Sequence, residues 1–522
     1  MHAEIESCSK EPDDHSDEGA GKSEPAKAKG KVNEGNRLIA HIASIARPTQ
    51  DESGRHFVTF ESRPHEAIPH DGTRSVAMIA ICKSWTVKHG KYPAQAARSM
   101  ASDWLAGECA TSAKQMIALR AAQVGDEVFI DTGWDTWEVI HVTAGGWRIA
   151  SVSPVPFYRS PVSGAMADPR HDPPSTTQLS RFVRISPNEE TVLLATLLMN
   201  WFTECPQPIL VLLGSANVGK SLCQQFLLSL VDPTTVTPGN DLTSDPREFK
   251  ALAAIRRTIV FDNASYVDPK VSDLLARVST GGELVSRTLY TNDGAHITTL
   301  QRPVWLNGIM SGFSRSDLAS RSVKVDLQSI PEGERIPASE LKDEWESVRP
   351  AVTSALLDLL VTVLRYRMRY SITGSSHRNG DLIRVLKVLD DERNTAGLDS
   401  LNRSIEDLQT AVIDASPLAA GLQLAVECAR AGDDGNCCRY SDPLPLGEWL
   451  TWDKLKESLT HHLDEAQSRK LPESAKSFGE ALMRVSEDLK SIVGVVVERK
   501  RTAKATTYQV IDMRAGNEEK VA

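Results

Sequence analysis

Between residues 208 and 370 the apolar positions change rhythm repeatedly, and each change marks an element. Pro208-Ile-Leu-Val-Leu-Leu213 is a continuous apolar run, short enough for a strand buried on both faces. Helical spacing follows to Leu230. Thr258-Ile-Val-Phe-Asp262 and Arg302-Pro-Val-Trp-Leu-Asn307 are two more short apolar runs, each ending in a polar residue. Such alternation predicts an α/β core, a parallel sheet with flanking helices. Residues 186–202 predict a helix: Ser186 can cap it, Pro187 suits its first turn, and Glu189 and Glu190 favour its positive end. A helix-rich stretch at 339–370 ends in Arg365, Arg367 and Arg369. Residues 371–380 are polar and break it, and 381–432 read as helical and acidic.

The flanks have other rhythms. Upstream, 75–106 is helix-compatible, and 127–131, 137–141 and 147–150 alternate as strands around Thr132-Gly133 and Ala144-Gly145-Gly146 turns. Downstream, Leu450, Trp452, Leu455 and Leu459 keep a helical spacing, as do Phe478, Leu482, Val485 and Leu489. Strands at 494–498 and 506–511 enclose Arg499, Lys500, Arg501 and Lys504. Helix, helix, strand, basic turn, strand predicts a winged helix, which binds DNA phosphate or a protein partner. The expected organisation is a disordered acidic tail (1–35), an α+β region (36–175), an ATPase core with a helical extension (176–375), an acidic helical segment (376–446), a winged helix (447–513) and a short tail (514–522).

Composition sharpens this picture. The 522 residues are 41% apolar and 25% charged, with a formal net charge of −10, which excludes a histone-like basic protein. The acidity lies outside the core: 206–330 carries 12 basic and 11 acidic residues, so the whole-chain charge does not oppose a DNA partner. No run of 18 apolar residues and no apolar leader is present, so the expectation is a cytoplasmic protein without a membrane partner. The eight cysteines include no C-x-x-C pair. Reduced thiols are expected rather than a zinc site at Cys437, Cys438, His461 and His462.

The chemistry centres on Gly214-Ser215-Ala216-Asn217-Val218-Gly219-Lys220-Ser221, the pattern G-x-x-x-x-G-K-S between a buried strand and a helix. Its glycines let backbone N–H groups converge on phosphate, Lys220 reaches the β- and γ-phosphates of ATP, and Ser221 ligates Mg²⁺. Asp262 supplies the metal-side acid expected at the end of a neighbouring strand. Asn263 follows where many ATPases carry a water-activating Glu, which bears on hydrolysis rather than on binding. Asn307 is a candidate γ-phosphate sensor, the alternative being a turn residue. Arg321 is a candidate for reaching a neighbouring subunit's nucleotide, the alternative being a surface ion pair. A chance glycine turn would lack the strand, the helix and the acid.

This ordered set resembles the superfamily 3 helicases, AAA+-type ring ATPases, and more closely the primase-helicase-like ATP-binding proteins of phages and integrated elements. The residues that carry the resemblance are 213–221, 260–263, 279–282 with 287–293, and 302–308, and similarity spans roughly 120–370. The Asp262-Asn263 pair departs from the acid-acid pair of typical superfamily 3 members. The resemblance implies a hexameric ring acting on single-stranded or forked DNA, with replication proteins such as a primase as partners. It also implies a channel hairpin at about 283–299, turning at Asn292-Asp293-Gly294, with Arg287 and His296 as backbone contacts. The expected function is an ATP-dependent DNA helicase or translocase. The alternative is an ATP-switched DNA-binding or loading protein, and a small-molecule kinase is disfavoured because it needs neither the hairpin nor the Arg. No paired-carboxylate metal motif upstream predicts primer synthesis.

Overall fold

A computed structural model describes residues 33–170, 172–215, 217–237, 239–264, 267–287, 295–308, 316–331, 333–375, 377–431, 444–502 and 505–514. The chain opens with α1 (Glu34–Ile45), β1 (Ala46–Gln50), β2 (His56–Phe60), β3 (Arg63–Pro69), α2 (Val76–His89) and α3 (Gln95–Thr111). The strands form an antiparallel sheet, and Leu38, Ile42, Val58, Ile81, Trp85 and Leu105 make a core of their own. The sequence carries no clear signal for these strands. In β3 only His65, Ala67 and Ile68 are buried, among prolines and charges that hide any alternation.

A second antiparallel sheet follows in the order β4 (Ala121–Val124), β5 (Glu127–Asp131), β6 (Val139–Thr143), β7 (Gly146–Ala150). Its Val128, Ile130, Ile140 and Val142 belong to the main core rather than to the N-terminal one. After α4 (Leu179–Phe182), α5 (Pro187–Met199) begins with a capping box between Ser186 and Glu189, as its sequence implies.

The central parallel sheet is assembled from β8 (Ile209–Leu213), β9 (Ile259–Phe261), β12 (Val304–Gly308) and β13 (Ser322–Asp326), in the order β13-β8-β12-β9. Between these strands run α6 (Lys220–Val231), α7 (Pro246–Ile255), α8 (Pro269–Thr280), the antiparallel hairpin β10 (Gly282–Arg287) with β11 (Ala295–Leu300), and α9 (Ser316–Ala319). Strand alternation divides the apolar residues between two faces. Leu210, Leu212, Val260, Trp305 and Val323 pack toward α5, α6 and α10 (Ala338–Tyr366). Ile209, Val211, Phe261, Val304 and Leu306 pack toward α7, α8 and α9. With both faces covered, β8 needs no polar position.

The structure corrects the expected boundaries. α11 (Gly380–Arg393) and α12 (Gly397–Ala415) are not a separate acidic unit: Leu382, Val385, Leu386, Leu401 and Ile405 complete the main core, and Leu408 and Val412 the opposite face. α13 (Pro417–Ala431) packs instead with the C-terminal unit through Leu418, Leu422 and Val426. That unit contains β14 (Trp449–Thr451), α14 (Trp452–Thr460), α15 (Glu465–Ser468), α16 (Ala475–Asp488), β15 (Val495–Arg501) and β16 (Thr506–Asp512), with sheet order β14-β16-β15. Leu450, expected in a helix, lies in β14 opposite Tyr508. Helix α10 is apolar and long enough to cross a bilayer, but 56% of its most apolar window is buried inside the protein, against the sheet.

Two anchors hold the foot of the parallel sheet. Arg120, 1% exposed, donates from Nε to Asp232 Oδ1 at 3.1 Å and from Nη1 to the Asp131 carbonyl at 2.9 Å. Asp232 Oδ2 accepts the Thr258 N–H at 2.9 Å, which joins the β4–β7 sheet to the entry of β9. At the entry of β13, the Arg378 N–H donates to the Ser320 carbonyl and His377 is buried beside it. Burial pushes His377 down to about 4. Because that lies below the unfolded value of about 6.5, the unfolded chain takes up the proton first. Stability is therefore full above pH 6.5 and declines as the pH falls toward 4. Urea unfolding should show wild type losing about 2 kcal/mol more than His377→Gln between pH 7.5 and pH 5. Parallel pH profiles would refute this account.

Candidate functional site

The carboxyl ends of β8, β9 and β12 lie side by side, the edge at which open α/β sheets bind ligands. The loop after β8 turns through Gly214 (φ 158°), Asn217 (φ 65°) and Gly219 (φ 81°) into α6. At Gly214 a Cβ would meet Val218 at 2.8 Å and the Leu327 carbonyl at 3.1 Å, so the loop closes tightly on itself and on the residue after β13. No side chain caps α6, which leaves its first N–H groups and positive dipole end facing the loop. Lys220 Nζ donates to the Gly214 carbonyl at 3.0 Å and the Ser215 carbonyl at 2.8 Å. Ser221 Oγ donates to Asp262 Oδ1 at 3.0 Å. Residues 41 apart in sequence thus meet at a site of hydroxyl and carboxylate oxygen. Ala216 lies outside the described residues.

Asn263 adopts a left-handed backbone (φ 58°) and leaves its side chain exposed. Its N–H donates to Asn307 Oδ1 at 3.0 Å. Asn307, 1% exposed, donates from Nδ2 to Gln224 Oε1 at 2.6 Å, and its carbonyl accepts the Ala264 N–H at 2.8 Å. The amide expected to sense a phosphate is engaged inside the protein with Asn263 and Gln224. It braces the ends of β12 and β9 against α6.

Arg321 sits elsewhere. It precedes Ser322, which pairs with Ile209 at the start of β8, whereas the loop follows Leu213, which pairs with Asp326. About four residues of strand, roughly 13 Å, separate the two ends. The Arg321 side chain is 20% exposed and pairs with Asp317 at 3.3 Å, and Arg378 pairs with the same carboxylate. Arg321 is thus turned away from its own chain's loop.

A cavity of about 760 Å³ opens beside Asn217–Gly219. Phe182, Val218, Leu222, Phe226 and Leu327 give it an apolar floor, with Arg181, Gln328 and Arg335 among its polar groups. This combination suits a flat, partly polar ligand. These walls are not legible in the sequence, because 180–184 and 327–341 carry no motif and meet the loop only through folding.

The expected nucleic-acid contacts are separate from this edge. β10 pairs Ser286 with His296 and Arg287 with Ala295, which puts both candidate positions at the outer end of the hairpin, and the turn at 288–294 lies outside the described residues. Arg499, Lys500 and Arg501 are exposed on β15, with the Lys500 amine 5.6 Å from the Trp449 ring centroid. Lys504 lies outside the described residues.

Residues 176–411 match a family described as actinomycete integrative conjugative element replication protein. Over that stretch, from α4 to α12, the chain is similar to a mobile-element replication protein. It is also similar to an A-form apo structure of the NrS-1 C-terminal region (TM-score 0.39, 9% identity, 91% of this chain and 98% of that one). An apo structure of the same region has TM-score 0.38 and 10% identity, covering 92% and 100%. No curated protein matches the chain.

The brace can be tested without any ligand. A Cβ at Gly308 would fall 2.0 Å from the Ala264 carbonyl, a backbone atom that can yield only by parting β12 from β9. Gly308→Ala should cost about 2 kcal/mol or more and lower the melting temperature. An unchanged melting curve would show that these strand ends are not tightly held.

Proposed function

We propose that this chain is a P-loop ATPase that works on DNA during replication of a mobile element, as a ring-forming helicase or translocase. The observation that carries this reading is the Ser221–Asp262 contact at the mouth of a glycine loop on an uncapped helix start. ATP phosphates would take the loop, with Lys220 exchanging its two carbonyl partners for phosphate oxygens. The cavity beside Val218 would take the base. Ser221 and Asp262 are hard oxygen donors of the kind Mg²⁺ prefers, and the ion, when bound, offsets phosphate charge. Asn307 acts as a positioning residue: it holds Asn263 and Gln224, so the exposed Asn263 side chain remains to orient water.

In a ring, Arg321 would serve a neighbour's nucleotide, since it lies at the opposite end of β13 from its own loop, and it would then have to leave the ion pair with Asp317. The hairpin with Arg287 and His296 would face the channel strand, and the exposed cations of β15 would contact DNA from a winged helix. The match of 176–411 to a replication family supports the setting. A second reading, an ATP-switched DNA loader without unwinding, is favoured by Asn263, which is no general base.

Lys220→Ala should abolish binding of a fluorescent ATP analogue and DNA-stimulated hydrolysis while leaving the fold intact, since the ammonium bonds only to its own loop. Normal ATP binding by this variant, or none by wild type, would overturn the ATPase reading. Arg321→Ala should retain nucleotide binding and lose at least ~10³-fold in hydrolysis. Strand displacement on forked DNA separates the helicase from the loader.

A further inference from the structure

The end of α10 and the turn after it carry a cluster of arginines that the proposed motor does not use, with Asp391 nearby accepting from the Tyr370 hydroxyl. Between Asp358 and Asp381 the chain carries no acid, yet it holds Arg365, Arg367, Arg369 and Arg378. Arg367 faces Asp126 at 3.7 Å and Arg378 faces Asp317. Arg365 and Arg369 have no carboxylate partner among the described residues, and both are exposed. They flank one ring: the Arg369 guanidinium carbon is 4.7 Å and that of Arg365 5.8 Å from the Tyr366 centroid. Arg365 is held further by donating to the Ala144 carbonyl at 2.9 Å, from the turn of the β6–β7 hairpin. Two like charges four residues apart repel in the free protein. Here packing on Tyr366 and the Ala144 carbonyl keeps them together, with further guanidinium donors left to face solvent. Beside them Met368 is 70% and Ile372 53% exposed.

We propose that Arg365 and Arg369 bind the backbone of a single-stranded nucleic acid, with Met368 and Ile372 against its sugars and bases. Paired guanidinium groups match phosphate, and the exposed apolar side chains match base faces that a duplex conceals. This rests on the nucleic-acid partner of the proposed function and adds a contact beyond the hairpin and β15, outside the nucleotide edge.

The test is fluorescence anisotropy of the full chain with labelled oligo-dT, oligo-rU and a duplex of about 30 nucleotides, from about 50 to 200 mM salt. Arg365→Glu/Arg369→Glu should weaken single-strand binding about tenfold or more and lower the salt slope by about 1.4, with ATP-analogue binding unchanged. Arg365→Lys/Arg369→Lys should recover most of the affinity, and comparison of the dT and rU arms identifies the strand. Wild-type affinity and slope in the Glu variant would overturn this contact and leave the ATPase reading standing. Tighter binding of duplex would overturn the single-strand assignment. No binding by wild type would remove the nucleic-acid partner altogether.

Discussion

A primary amide buried to 1% exposure must find partners for both its ends or cost a large part of the fold's stability. Asn307 finds them in the Asn263 N–H and in Gln224. Much of the candidate site depends on this. Asn263 is held in a left-handed turn that brings β9 to an abrupt stop, and Asp262, one residue earlier, faces Ser221. Gln224 lies one turn along α6 from Ser221 and Lys220, so the same amide sets where the helix starts. The close approach of Gly308 to Ala264 is the steric side of this constraint.

The two ends of the sheet do different work. At the foot, buried charge joins the layers: Arg120 and Asp232 tie the β4–β7 sheet to β9. Arg257 spans the Asn200, Phe202 and Gln301 carbonyls. Burial pushes Arg257 down to about 9 and Arg302 to about 10, the cost of holding these cations away from water. At the carboxyl edge Asn307 is buried, while Lys220, Ser221, Asp262 and Asn263 are at least partly open. That edge keeps an uncapped helix start and a loop whose lysine bonds only to its own backbone. Arg321 lies at the foot, so any part it plays in catalysis is a relation between copies of the chain.

Much of the core was legible because its signals are local. A continuous apolar run, the glycine loop and a helical spacing place β8 and α6 without reference to anything distant. The same holds for the capping box at Ser186 and for the strand pairs at 127–150 and 495–512. The strands of the N-terminal unit were illegible because each buries few residues among prolines, histidines and charges. Leu450 was misplaced because one leucine fits a helix or a strand equally well, and its pairing with Tyr508 is made 58 residues away.

Type and spacing along the chain are enough to single out Lys220, Ser221 and Asp262 as the candidates for the proposed chemistry, since phosphate and metal binding demand such groups. Tertiary structure decided what each is free to do. It spent Asn307 on a brace, turned Arg321 to the opposite end of the sheet, and gave α11 and α12 to the core. It also built the cavity from three separate segments, 180–184, 217–226 and 327–341. The physical reason is that burial and hydrogen-bond partners are properties of packed surfaces. An amide's or a guanidinium's role depends on which neighbours claim its donors, and those neighbours come from distant parts of the chain.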